Sequence, residues 1–424
     1  MPVSHPANMA KGWRGLLEEE SEHQWVAISG FFVFIILGAI AIQGTSSLPG
    51  VDYRSNGLEA VDGRVMDIVY GDSGSYTAMV LADEGGVIFH YDEQGEVMDI
   101  GADYEDVLGM TFMTQLHDGS IVVSPSNNTL EVIPVKSETL QPTIIPLNEN
   151  EASFDILDVA EQPNGDGYHW LMVTDEGSNS SLRGFGDIAT PLQPVSIAVW
   201  GATVTSAMVN NDGYEWNMVE ALDEGTWVAT GLMANSFGAD ENSPATPIKH
   251  PVIGLISWSS ATTAPMLTHI EEIDRGEIHS LIKLENGSLL AAGSDSSVQI
   301  ALDGTMTEID VASESAALDE KGAVWFFAGE GSTSVVRMTD GATEKMPLAR
   351  PLPLNVEVSG VSNDVIYAHG MDNNGEPGTY SIDTLAIGSI ESGRGFLNFI
   401  FFTVSSIVMG VMLWTAFSRM RQNQ

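Results

Sequence analysis

Cysteine is absent from the 424 residues, which excludes disulfides, thiolate metal sites and cysteine nucleophiles. Basic residues are scarce: 16 Lys and Arg stand against 58 Asp and Glu, a formal charge of −42 at pH 7. Nucleic acid is dense negative charge, so such a surface repels it. The acidity leaves two readings, a cationic partner or a solvated surface suited to salty water, where screening blunts self-repulsion. The acids are scattered and form no tail, which favours the second. Recognisable catalytic motifs are missing too: no H-E-x-x-H, no P-loop, no G-x-S-x-G and no dinucleotide fingerprint. The nine histidines are scattered, and none is paired at ligand spacing.

Charge is also missing from two long runs. Trp25 to Ile42 reads WVAISGFFVFIILGAIAI, and Phe396 to Phe417 reads FLNFIFFTVSSIVMGVMLWTAF. Each is long enough to cross a bilayer as a helix, and Trp414 sits near one end, where aromatic residues favour the interface. The rival for the first run is a secretory signal peptide, with Ala39-Ile40-Ala41 as a small-residue cleavage site. The preceding acidic stretch, Glu18, Glu19, Glu20 and Glu22, is wrong for such a signal. Lys11, Arg14, Arg419 and Arg421 in the tails outweigh Arg54 and Arg394 in the flanks. The positive-inside rule therefore puts both tails in the cytoplasm and the middle outside, in an extracytoplasmic location. Asn127, Asn179 and Asn286 head glycosylation triplets, a pattern that also arises often by chance. Ser406 and Gly410 make a small-xxx-small pair of the kind that mediates helix contact, here with the first span as the candidate partner; ordinary small residues of a membrane helix are the favoured account of the same pattern.

What is abundant is glycine, 43 residues, in a chain only 17% charged. Such a balance suits a turn-rich β protein. A Gly turn followed by a short β-branched or aromatic run recurs along the middle. Examples are Asp118-Gly119-Ser120-Ile121-Val122-Val123, Asp166-Gly167-Tyr168-His169-Trp170, Glu224-Gly225-Thr226-Trp227, Asn286-Gly287-Ser288-Leu289-Leu290 and Lys321-Gly322-Ala323-Val324-Trp325. Asp-Gly and Asn-Gly tolerate the positive φ of tight hairpins. Second turns follow at Asp303-Gly304, Asp340-Gly341 and Asn374-Gly375, so each unit holds about four strands over about 40 to 50 residues, the mark of a propeller blade. Seven units start near Asp62, Glu105, Ser153, Val204, Gly276, Val311 and Asn355. The expected fold class is all-β, a seven-bladed β-propeller flanked by an N-terminal and a C-terminal transmembrane helix. A pair of β-sandwiches is the rival. The parts are a tail (1–24), a span (25–43), a linker (44–61), the propeller (62–391), a span (396–417) and a tail (418–424). The fourth unit carries a polar insertion from Met233 to Pro251, too long for a hairpin turn.

The sixth unit, ALDEKGAVWFFAGEGSTSVVRMTDGATEKMPL, resembles the repeat of streptogramin-lyase-like and two-component-regulator-type propellers. Asp319, Gly322, Trp325, Asp340 and Gly341 stand at the matching places, and the fifth unit matches more loosely. The resemblance implies the fold and carries no catalytic role.

First strands of blades line a propeller's central channel. His279, Asp67, Asp155 and Asp158 fall in such strands and are the channel candidates for a converging metal or catalytic cluster. Asp372, Asn374 and Glu376 form an oxygen-rich loop of a kind that holds calcium, the one cofactor the sequence admits. An ordinary Asn-Gly turn accounts for the same residues. The expected function is a non-catalytic module binding a protein partner or ligand at the outer face of a membrane. The alternatives are a lyase- or hydrolase-type envelope enzyme with its site at the channel mouth, and a sensor working with a membrane partner.

Overall fold

A computed structural model describes residues 24–44, 54–55, 63–384 and 391–422, apart from short stretches within the third range, the longest being 101–111, 135–142, 189–213 and 236–247. Two compact units emerge. One comprises Tyr53–Thr384, the other Met1–Asp52 together with Leu385–Gln424.

Among the described residues the central unit holds 27 strands, numbered in chain order from β1 (Arg54–Ser55) to β27 (Pro377–Asp383). They form seven antiparallel sheets. Blade 1 holds β2–β5 (64–99), blade 2 β6–β9 (113–146), blade 3 β10–β12 (155–188) and blade 4 β13–β16 (214–272). Blades 5, 6 and 7 hold β17–β20 (278–309), β21–β24 (315–347) and β25–β27 (355–383). The first strands touch in a closed cycle, β2 to β6, β10, β13, β17, β21, β25 and back to β2. Seven sheets on a closed ring of first strands make a β-propeller.

Closure uses a strand from a stretch that reads as linker. β1 pairs antiparallel with β27, Arg54 opposite Ser381 and Ser55 opposite Tyr380, and completes blade 7 as its fourth strand. Two residues carry no periodic signal, which is why the sequence hides this strand.

The turns between first and second strands follow the expected chemistry. Gly119, Gly225, Gly287 and Gly322 have φ of 83°, 71°, 83° and 76°. The residue before or near each glycine ties the turn: Asp118 Oδ1 accepts the Ser120 N–H at 2.8 Å and Asn286 Oδ1 that of Ser288 at 3.0 Å. The core lies between adjacent blades. Ala160, Leu171, Val173 and Leu182 of blade 3 pack with Trp216, Trp227 and Trp258 on the blade 4 side. Phe112, Val122 and Val132 of blade 2 pack with Phe154 and Trp170 of blade 3. Burying aromatic surface of this size is the main favourable term for each seam. Of the insertion between Met233 and Pro251, both ends are strand: β14 runs Thr226–Asn235 and β15 runs Ile248–Ser257. The insertion is therefore a hairpin connection, and its middle lies outside the described residues.

Among the described residues the second unit contains two helices, α1 (Gln24–Gly44) and α2 (Glu391–Gln422). Among the described residues one helical stretch is long and apolar enough to cross a membrane, the 21 residues Asn398–Ser418; α1 carries a shorter apolar stretch, Ala27–Ala41. The helices touch where Gly38 faces the Phe401 ring, and any Cβ at Gly38 would collide with it. The expected Ser406–Gly410 contact is not the one formed. Ser406 is exposed, a Cβ on Gly410 would meet nothing within 4 Å, and Ser405, one position round the helix, is the buried serine.

Candidate functional site

The first strands share an irregularity. β2 (Arg64–Tyr70) bulges between Val65 and Asp67, β10 (Asp155–Asn164) between Ile156 and Asp158, and β17 (Ile278–Lys283) between Ile278 and Ser280. A bulge re-aims the residue that follows it, and here that residue reaches the neighbouring blade. Asp67 accepts the Ile68 N–H at 2.8 Å and, through Oδ2, the Met113 N–H of blade 2 at 2.7 Å. Asp158 spans three blades. Its Oδ1 accepts the Val159 N–H at 2.8 Å and the Thr114 hydroxyl at 3.2 Å, and its Oδ2 accepts the Val219 N–H of blade 4 at 2.8 Å.

The same belt continues with other chemistry. Lys283 Nζ donates to the Ala221 carbonyl at 2.8 Å, and the Ala316 N–H donates to Ser280 Oγ at 3.3 Å. Ser315 and Ser359 hydroxyls meet at 2.8 Å, and Arg64 grips Glu357 through two 2.8 Å bonds. Every seam is thus bridged by a side chain from a first strand. Burial dominates the acids' electrostatics. It raises the Asp67 pKa to about 6 and the Asp158 pKa to about 7, against the lowering pull of their backbone N–H donors. Glu220 is raised by the same cause, with Lys283 opposing.

The four channel candidates therefore do not share one cluster in the structure. Asp67 and Asp158 bond to backbone of successive blades, His279 stands 3.5 Å from Glu314, and Asp155 is exposed at the start of its strand. Asp372, Asn374 and Glu376 do share one turn. Asp372 Oδ1 accepts the N–H groups of Asn374 and Glu376 at 2.8 and 2.9 Å, and its Oδ2 takes the Asn374 amide at 3.0 Å. These bonds, the Glu376 N–H foremost, hold the carboxylate below its usual range. Among the described residues, no three His, Cys, Asp or Glu side chains gather as a metal site.

Two clusters escaped sequence reasoning. His117 Nδ1 meets Glu161 Oε1 at 2.5 Å, the Tyr168 hydroxyl lies 2.6 Å from His117 Nε2, and the Trp170 indole N–H reaches Glu161 Oε2 at 3.1 Å. At the seam of blades 7 and 1, Tyr70 meets His369 across 299 positions of sequence. No local pattern could announce either, because each joins different blades. An acidic cleft of about 240 Å³ lies between blades 4 and 5, lined by Glu271, Asp274, Arg275, Asp295 and Glu308.

No protein family matches the chain, and no curated protein matches it in sequence. In structure it is similar to a streptogramin B lyase at 12% identity and TM-score 0.48, covering 79% of this chain and 99% of that one. It is similar to a catalytically inactive virginiamycin B lyase of Staphylococcus aureus, at 12% identity and TM-score 0.47, covering 78% and 99%. It is also similar to the extracellular domain of a hybrid two-component system of B. thetaiotaomicron, at 12% identity and TM-score 0.46, covering 78% of this chain and 39% of that one. These likenesses are of fold, and the propeller assignment above stands on the strand pairing itself.

Proposed function

We propose that the chain is a membrane-tethered propeller whose rigid blades bind a protein or ligand outside the cytoplasm. The observation that carries this reading is the β1–β27 pairing. It sets the entrance and exit of the propeller side by side, and each end leads in sequence to an apolar helix. With it the reading takes a two-span anchor over 25–43 and 396–417, and the basic residues of the tails support a cytoplasmic place for both. The contact of Gly38 with Phe401 supports pairing of the two spans, since small residues let helices approach closely in lipid.

Binding is favoured over turnover because Asp67 and Asp158 are committed to backbone amides of adjacent blades. A carboxylate so engaged has little freedom for proton transfer. The acidic cleft between blades 4 and 5 suits a cationic partner.

The test is protease protection in right-side-out vesicles, with one tag after Gln424 and one between Asn235 and Ile248. Cleavage of the inner tag with protection of the tail is the expected result. A cut tail with a protected loop inverts the topology. Cutting at both sites, or a mature chain whose N-terminus reads as Ile42, the residue that cleavage after Ala41 would leave, eliminates the two-span anchor.

A further inference from the structure

The seam between blade 1 and blade 7 is built over a run of tyrosines. Tyr91, the last residue of β4 (Gly85–Tyr91), stacks on Tyr76 with ring centroids 5.0 Å apart and planes at 11°. Tyr76, which opens β3 (Tyr76–Ala82), lies 6.1 Å from Tyr70 with planes tilted by 53°. Tyr70 then stacks on Tyr367 of β26 (Val365–Met371) at 5.2 Å and 19°. Four rings therefore connect a strand of blade 1 to a strand of blade 7 with no gap wider than 6.1 Å. Gly360 makes the room: any Cβ there would collide with the Tyr70 ring.

The third ring, Tyr70, has a proton acceptor. The Tyr70 hydroxyl lies 2.8 Å from Nε2 of His369, and Nδ1 of His369 lies 2.9 Å from the Thr379 hydroxyl. His369 is fully buried, and that burial lowers its pKa to about 4. The imidazole is thus neutral at ordinary pH, with one ring nitrogen donating and the other accepting. Burial also pushes the Tyr70 pKa up, with Tyr367 and Tyr76 adding to the effect, so the phenol keeps its proton. Both bonds are satisfied when Nδ1–H donates to Thr379 and Nε2 accepts from Tyr70.

We infer that Tyr70 and His369 form a proton-coupled redox pair, fed by the stacked tyrosines, through which one-electron oxidising equivalents cross this seam. A one-electron oxidant, of the class of oxygen-derived radicals, removes an electron from an outer ring. The electron deficit passes to Tyr70. There the O–H bond breaks, the proton moves to Nε2 of His369, and a neutral phenoxyl radical is left beside an imidazolium. A one-electron donor, such as a thiol or an enediol, returns the electron, and the proton goes back to the phenol. Because burial disfavours the imidazolium, that return is favoured and the pair is reset. The role is to hold oxidising equivalents on a recoverable phenol, away from the buried tryptophans of the other seams.

The full chain, oxidised by photogenerated tris(bipyridine)ruthenium(III) and frozen at once, is examined by electron paramagnetic resonance. The expected result is a tyrosyl radical whose yield drops roughly fivefold or more in Tyr70→Phe, which keeps the ring and deletes the hydroxyl. Tyr168→Phe, at the other tyrosine–histidine contact, leaves the yield unchanged. A folded Tyr70→Phe protein with undiminished yield and the same spectrum overturns the inference. If that variant does not fold, the wild-type high-field spectrum decides. A radical with a deuterium-exchangeable hydrogen-bond coupling supports the pair, and one without it overturns it.

Discussion

Raising the pH from about 4 to about 8 is expected to weaken the propeller by several kcal/mol, with Asp158 and Asp67 as the principal cause. In the unfolded chain both titrate near 3.8; in the fold their pKa values are about 7 and about 6. The folded state therefore binds more protons than the unfolded state across this window. Stability falls wherever that holds as pH rises. The contribution is fully present below the unfolded value and is lost as pH passes the folded values. At about 1.4 kcal/mol per unit, the upper limit is about 4 kcal/mol for Asp158 and about 3 for Asp67. The formal charge of −42 adds self-repulsion of the same sign, but salt screens exposed charges and leaves buried ones nearly untouched. Urea midpoints at several pH values in high salt isolate the buried part. Asp158→Asn should flatten most of the slope. A slope in high salt that Asp158→Asn leaves intact would place its origin elsewhere.

Asp319→Ala should cost about 3 to 5 kcal/mol, because it strands three donors at once. Asp319 is only 3% exposed. Its Oδ1 accepts the N–H groups of Lys321 and Ala323 at 2.9 Å each, and its Oδ2 accepts the Trp325 indole N–H at 2.9 Å. Both Ala323 and Trp325 are buried, so water cannot replace the lost acceptor without opening blade 6. Asp319→Asn keeps one oxygen and turns an amide N–H toward another donor, so it should lose about half as much. Denaturant midpoints of the three proteins check this. A loss under about 1 kcal/mol for the alanine variant would mean that solvent reaches the turn.

The turns and the number of blades were legible in the sequence because their chemistry is local. Gly119, Gly287 and Gly322 need positive φ, and an acid or amide one to three positions before each ties its own turn. Asp319 and Trp325 were both singled out as repeat positions, and the bond that joins them spans only six positions. Long-range placement was not legible. Asp67 and Asp158 were correctly read into first strands, yet their partners Met113 and Val219 lie 46 and 61 positions away. A bulge decides where such a side chain points, and one extra residue leaves no mark in an apolar pattern. His279 was placed in its strand as expected, while its partner Glu314 comes from the approach to the next blade. Tyr70 was hidden for a simpler reason: a tyrosine in a strand reads as packing, and only ring closure brings His369 beside it.

That same closure sets a timetable for biogenesis. β1 is synthesised before every other strand of the propeller and β27 after every other. Blades 1 to 6 can form in order as the chain emerges, each from its own consecutive strands. Blade 7 cannot reach four strands until the last strand of the propeller has been made. Until then β1 waits without its partner, and the edge of β27 is open as soon as it appears. A contact of such long sequence separation is slow to form, and an open strand edge invites pairing with another molecule. If α1 is held close to the site of synthesis, β1 stays within reach of β27, and that helix then serves folding as well as any role in the finished protein.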